Sequence, residues 1–248
     1  MGQHLGDIVA GLEAGIAAAE AETGVRCFLI AAMDKAYGPA AGLELVEAVG
    51  VLRAAGRAER IIGVGADSTE LGVDHRAFAP AYAAAKRLGL RRTCHAGEAV
   101  GAGPENIRIA LDVLGAERID HGVAITDDPE LVRRAAGERI PLTVCPTSNV
   151  VIANRYRSLD EHPLLELRAA GIPVTINTDD PAMEDLDLGR EYRGVADAHN
   201  LTTADMERMA IEGIESTWLD ETDRRDLRTD FEAAISGARR GPDASRSA

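Results

Sequence analysis

Leu5, Ile8, Val9, Leu12 and Ile16 recur at three- and four-residue intervals through a stretch rich in alanine and glutamate, which predicts an amphipathic helix over residues 5 to 22. Thr23-Gly24 ends it, and a β-prone run, Arg26-Cys27-Phe28-Leu29-Ile30-Ala31, follows. The same order then repeats: helical pattern, terminal glycine, one to three polar residues, short apolar run. Gly56 precedes Arg60-Ile61-Ile62-Gly63, Gly89 precedes Arg91-Arg92-Thr93-Cys94-His95, and Gly115 precedes Arg118-Ile119-Asp120-His121. Gly137 likewise precedes Pro141-Leu142-Thr143-Val144-Cys145, and Gly171 precedes Pro173-Val174-Thr175-Ile176-Asn177. Strands spaced by roughly 25 to 35 residues, each followed by helical pattern, are what parallel strands with crossover helices require. The predicted class is α/β, with strands apolar throughout because helices cover one face and side chains fill the other. Residues 186 to 236 read as further helix and 237 to 248 as a polar tail, so 1–236 is expected to be one domain.

The length of 248 residues is close to the roughly 250 of a single (β/α)₈ barrel. With 41 acidic against 27 basic residues the net charge is −14, which repels phosphate polymers and anionic lipid. Aromatics make up 3%, with Trp218 the sole tryptophan, too few for a base-stacking platform. Neither nucleic acid nor membrane is therefore an expected partner. Cys27, Cys94 and Cys145 lie in apolar runs and form no disulfide framework, and the chain shows no secretory signal and no long uncharged apolar run. A reducing, cytoplasmic setting is expected.

The chemistry lies where the predicted strands end. His95-Ala96-Gly97-Glu98 closes one strand, Asp120-His121-Gly122 the next, Thr147-Ser148-Asn149 another and Asn177-Thr178-Asp179-Asp180-Pro181 the last. Ionisable groups gathered at C-terminal strand ends follow the active-site rule of (β/α) barrels, and two imidazoles with three carboxylates suit metal-assisted hydrolysis. Taken singly, each has a plainer reading, since a strand-end histidine is often structural and Asp-Asp-Pro commonly opens a helix. Together they would be costly to bury without a metal or substrate to pair with. Asp120 fits a loop brace better. Met33-Asp34-Lys35 could reach a substrate or form an exposed loop, and the glycine-rich segment 63–72 does not fit a dinucleotide fingerprint. His4, His75, His162 and His199 receive no role.

These four motifs, in this order, resemble the adenosine and adenine deaminase family of the metal-dependent hydrolase superfamily, from about Gly11 to about Ala234. The resemblance implies a (β/α)₈ TIM barrel, incomplete here because about the first two βα units are missing. It implies hydrolytic deamination of a 6-aminopurine, adenosine or adenine, in purine salvage, with a purine base or nucleoside as the small-molecule partner and Zn²⁺ as cofactor. By the same resemblance His95 and Asp179 are zinc ligands, Glu98 is the acid that protonates the ring nitrogen, and His121 is the base. Asp180, Gly97 and the 63–72 loop with Ser68 would contact the substrate, and Ser148 would support His121 or Asp179. The Asp-Ser-Thr-Glu loop is closer to adenine-type members, although a modified ribose on the substrate is also open. The competing readings are a non-catalytic remnant barrel acting as a scaffold and an amidohydrolase acting on another ring.

The family's first strand carries a His-x-His pair that supplies two zinc ligands, and this sequence contains none. Catalytic zinc sites usually offer three protein ligands, so His95 and Asp179 alone fall short. An N-terminally truncated copy, an inactive relative and a site completed by a partner chain are the three explanations. Truncation is expected, because Glu98, His121, Asp179 and Asp180 are all retained. A barrel lacking strands exposes edges and apolar interior, so the isolated chain is predicted to form homo-oligomers or aggregates and to bind zinc weakly. Size-exclusion chromatography with metal analysis checks this, and a stable monomer carrying stoichiometric zinc would contradict it.

Overall fold

The computed structural model describes residues 4–240. The chain divides between Leu131 and Val132 into two compact units. In the first, α1 (Leu5–Thr23) ends at Gly24, whose φ of +73° lets its N–H return to the Glu20 carbonyl. This is the left-handed cap that favours glycine. Strand β1 (Leu29–Asp34) starts three residues later than the sequence predicts, because side chains hold the preceding residues outside the ladder. The Cys27 N–H donates to Glu20 Oε1 at 2.9 Å, and Arg60 donates both to the Cys27 carbonyl at 3.1 Å and to Glu20.

Helix α2 (Gly38–Ala54), β2 (Ile61–Asp67), α3 (Ala79–Arg87), β3 (Arg91–Ala96), α4 (Pro104–Asp112) and β4 (Arg118–His121) follow. The strands pair in parallel in the order β1-β2-β3-β4. Asp34 lies opposite Asp67 and Ala96 opposite His121, so the polar strand ends come out on one rim. Val46, Val49, Val64, Phe78, Tyr82, Ile107 and Ile119 are buried beneath it. Tyr82 satisfies its hydroxyl by donating to the Thr93 carbonyl at 2.6 Å. β1 departs from the expected continuous burial, alternating between exposed and covered positions with Ile30 open, whereas β2 is buried almost throughout.

Helix α5 (Pro129–Gly137) carries the chain onward. Gly137 lies inside it, and the turn beyond is made by Arg139 at φ +53° rather than by the predicted terminal glycine. In the second unit β5 (Leu142–Val144) pairs in parallel with β6 (Val174–Ile176), every residue of which is buried. α6 (Pro146–Val151) follows β5 directly, and α7 (Leu164–Ala169) packs on β6. The helical stretch predicted from 186 to 236 is three helices, α8 (Leu188–His199), α9 (Thr203–Glu215) and α10 (Glu221–Arg240). Asn200, at φ +53°, closes α8, and a reciprocal cap between Thr202 and Asp205 opens α9. α10 runs to Arg240, so residues 237–240 are helix where a tail was expected; 241–248 lie outside the described residues. Among the described residues no helix is long and apolar enough to cross a membrane.

Ile119, fully buried in β4 opposite Cys94, is a direct test of this core. Ile119→Ala is expected to lower stability by about 2–5 kcal/mol in urea denaturation.

Candidate active site

In the first unit the ends of β3 and β4 meet. The His95 and His121 rings lie edge to face with centroids 4.5 Å apart. The chain leaves β3 through Gly97 at φ +78°, where a Cβ would stand 2.7 Å from Ile107 Cδ1, so both conformation and space require glycine. That turn is tied to the next strand, with Gly122 N–H donating to the Ala96 carbonyl at 3.1 Å and Ala124 N–H to the Gly97 carbonyl at 2.8 Å. It delivers Glu98 between the rings, with Oε2 2.9 Å from His95 Nε2 and Oε1 3.2 Å from His121 Nδ1. Glu98 and His121 are both buried. His121 itself has φ +61°, a left-handed conformation that costs a non-glycine residue about 1–3 kcal/mol.

Two further residues hold this cluster. Lys35, just past β1, is buried rather than part of an exposed loop; its Nζ donates to the His95 carbonyl at 2.8 Å and stands 3.3 Å from His95 Nδ1. Glu70 is buried behind the turn and accepts from the Gly97 and Glu98 N–H groups at 2.6 and 2.7 Å. The amide of Gly97, a residue expected to face substrate, is thereby occupied by Glu70. Ser68, two residues before Glu70, is exposed in the turn after β2 at φ +72°. Asp120 accepts from Thr93 Oγ1 at 2.7 Å and lies 3.5 Å from Arg118 Nε, bracing β4 against β3.

Burial pulls the His95 imidazole pKa down, but the bonded Glu98 carboxylate, helped by Glu70, outweighs both burial and Lys35 and holds it above the ordinary value. Burial likewise raises the Glu70 carboxyl, yet the Gly97 N–H, the Asn106 amide and the Glu98 N–H overcome it and hold Glu70 below the usual range. Lys35 is pushed down by burial, with Glu70, Asp67 and Glu98 opposing. His95, Glu98 and His121 each offer a ligand atom, all within 4.8 Å of one another. Imidazole nitrogen and carboxylate oxygen are the donors zinc takes, so His95 here and a carboxylate such as Asp179 are of the type that fits such an ion.

In the second unit the turn after β6 carries Asp179 at φ +57°, and Ser148, buried at the start of α6, donates to Asp179 Oδ2 at 2.6 Å. Asp180 is exposed, and its carbonyl accepts from Met183 N–H at 2.9 Å. Asn177 ties the strand end down by donating to the Val144 and Thr175 carbonyls at 3.1 and 2.9 Å. Buried Glu191 on α8 anchors the α6 turn, accepting from Thr147 N–H at 2.9 Å and from its hydroxyl. Glu70, Lys35 and Glu191 are the residues that sequence reasoning missed or left open. Glu70 and Glu191 occupy a turn and a helix where exposure is the default for a glutamate, so the only available signal was their proximity to the motifs.

The family model described as adenosine deaminase matches residues 2–234. An adenine deaminase of Streptomyces coelicolor is 36% identical over 241 residues, 96% of this chain and 67% of that protein. An aminodeoxyfutalosine deaminase of the same species is 42% identical over 164 residues, covering 66% and 42% of the two chains. The crystal structure of a zinc-bound amidohydrolase from Burkholderia ambifaria superposes with a TM-score of 0.83 at 27% identity, over 94% of this chain and 64% of that one. The chain thus spans between about two fifths and two thirds of the length of these relatives. Its fold is α/β of the (β/α)₈-barrel type, in incomplete form with six strands among the described residues.

Glu184, half-buried after β6, is the acid in this unit whose pKa is raised furthest. Burial first, then the charges of Asp179, Glu191 and Asp180, push it up to about 7 from an ordinary 4.5. A carboxyl whose pKa rises on folding holds its proton more tightly in the folded chain. Stability is therefore lost as pH climbs from 4.5 to 7 and the penalty is constant above that. In metal-free protein, Glu184→Gln is expected to raise the melting temperature progressively over that window. A difference from the parent that stays constant between about pH 5 and about pH 8 would contradict it.

Proposed function

Because the chain belongs to the adenosine deaminase family, we propose that it serves the hydrolytic deamination of a 6-aminopurine, exchanging the exocyclic amino group for oxygen and releasing ammonia. The observation that carries this reading is Glu98, a buried carboxyl held between two imidazoles at the ends of adjacent strands. Adding water to a ring carbon that bears an amino group interrupts aromaticity, so a ring nitrogen must take a proton as charge builds there. Glu98, which must be neutral when substrate binds, is the group that delivers it, and general acid catalysis of this kind contributes about 10²- to 10⁴-fold. His121 takes the proton of the attacking water. Asp180 hydrogen-bonds the ring nitrogen on the imidazole side of the purine, the Ser68 turn borders the base, and Ser148 keeps Asp179 oriented through their 2.6 Å hydrogen bond.

His95 and Asp179 are the residues that would hold zinc, which when bound lowers the pKa of its water to about 7. These two are fewer than the three protein ligands a catalytic zinc usually has. Adenine is the first choice of substrate, on the Asp-Ser-Thr-Glu loop and the adenine deaminase likeness. A nucleoside with a modified ribose is the second, favoured by the 42% identity to an aminodeoxyfutalosine deaminase. The cytoplasm, with its small-molecule purines and reduced thiols, is the compartment this chemistry suits.

Ammonia release from adenine, adenosine and a ribose-modified adenosine, with zinc supplied, tests the proposal. Glu98→Gln is expected to lower kcat/KM by about 10²- to 10⁴-fold without loss of fold. Equal activity of parent and variant would remove Glu98 from its role, and no release from any substrate would favour the non-catalytic remnant.

A further inference from the structure

Glu70 is a buried charge that the reaction just proposed leaves unused. Its side chain is 0% exposed, and it belongs to a turn 27 residues away in sequence from the one it supports. Oε2 accepts from Gly97 N–H at 2.6 Å and from Asn106 Nδ2 at 3.0 Å. Oε1 accepts from Glu98 N–H at 2.7 Å and Ala99 N–H at 3.2 Å. Four donors fill the four acceptor positions of an ionised carboxylate. Three of them are consecutive backbone amides, a concave array that binds an anion, and here the anion is the protein's own side chain. The peptide on the other side of the turn is held by a cation, since Lys35 donates to the His95 carbonyl at 2.8 Å.

We infer that Glu70 is the positioning residue for Glu98, fixing the 97–99 backbone so that the Glu98 carboxyl is held at the proton-transfer position between His95 and His121. The inference rests on the deaminase reading for its catalytic consequence, but the clamp can be measured without it. No other carboxylate is needed to explain where Glu98 points: its own amide and both neighbouring amides are bound to one group that has no exposure through which to move. Glutamine has the same shape but a single acceptor oxygen, and its NH₂ would face amide N–H groups, donor against donor. Glu70→Gln therefore releases half the clamp while preserving volume.

The 248-residue chain and its Glu70→Gln variant are compared by amide hydrogen exchange and by zinc-supplied ammonia release. In the variant, exchange at residues 97–99 is expected to accelerate about tenfold or more, with the amides of β2 and β3 unchanged. kcat is expected to fall about 10- to 100-fold with KM little altered, because the acid is misplaced rather than the substrate site lost. Unchanged exchange overturns the inference, and so does faster exchange with kcat intact, which would make the clamp merely structural. Should Glu70→Gln fail to fold, Asn106→Ala removes one of the four donors, and smaller changes of the same sign are expected. No change in either measurement overturns the inference. If the parent releases no ammonia, the deaminase reading fails separately and exchange at 97–99 alone decides the clamp.

Discussion

The site in the first unit depends on one carboxylate shared by two rings. Glu98 reaches both His95 Nε2 and His121 Nδ1 because a single turn, Ala96-Gly97-Glu98, doubles back at the end of β3. That turn exists only because Gly97 can take a positive φ where Ile107 and Ala124 leave no room for a Cβ. β4 then supplies His121 in a left-handed conformation of its own, in register with Ala96. Parallel pairing makes the two strand ends coincide, and the strain at His121 turns coincidence into contact.

Holding such a cluster is an electrostatic problem, and the two units solve it alike. Each places a glutamate under the turn that carries a motif: Glu70 beneath Gly97–Ala99 and Glu191 beneath Thr147. Burying a carboxylate is unfavourable unless backbone donors replace water. At Glu70 four donors do so and its proton affinity falls below the ordinary value; at Glu191 fewer do, and burial keeps it raised. The difference in donors, not in residue type, sets the direction. The motifs are therefore only part of the site, and the glutamates that aim them lie outside it in sequence.

Much of this could be read along the chain. A 3.6-residue apolar period located α1 to within a residue, and short apolar runs after helical pattern located the six strands of the described residues. The strand-end motifs single out His95, Glu98 and His121, whose rings and carboxylate touch in the structure, and Ser148, which bonds Asp179. Less was legible where a local rule met a competing contact. β1 begins late because Glu20 and Arg60 hold Cys27, and the helical stretch after 186 breaks at Asn200, which lacks the usual glycine signal.

Periodicity reports which side of an element faces inward, because each residue's direction is set by its neighbours in the same helix or strand. Strand number, order of the motifs and their place at the strand ends were therefore fixed by the amino acids alone. Turns have no period. Whether Lys35 or Glu70 faced solvent or the core was decided only when parallel register brought turns 27 to 60 residues apart against one another, where unpaired backbone amides and carbonyls demanded partners.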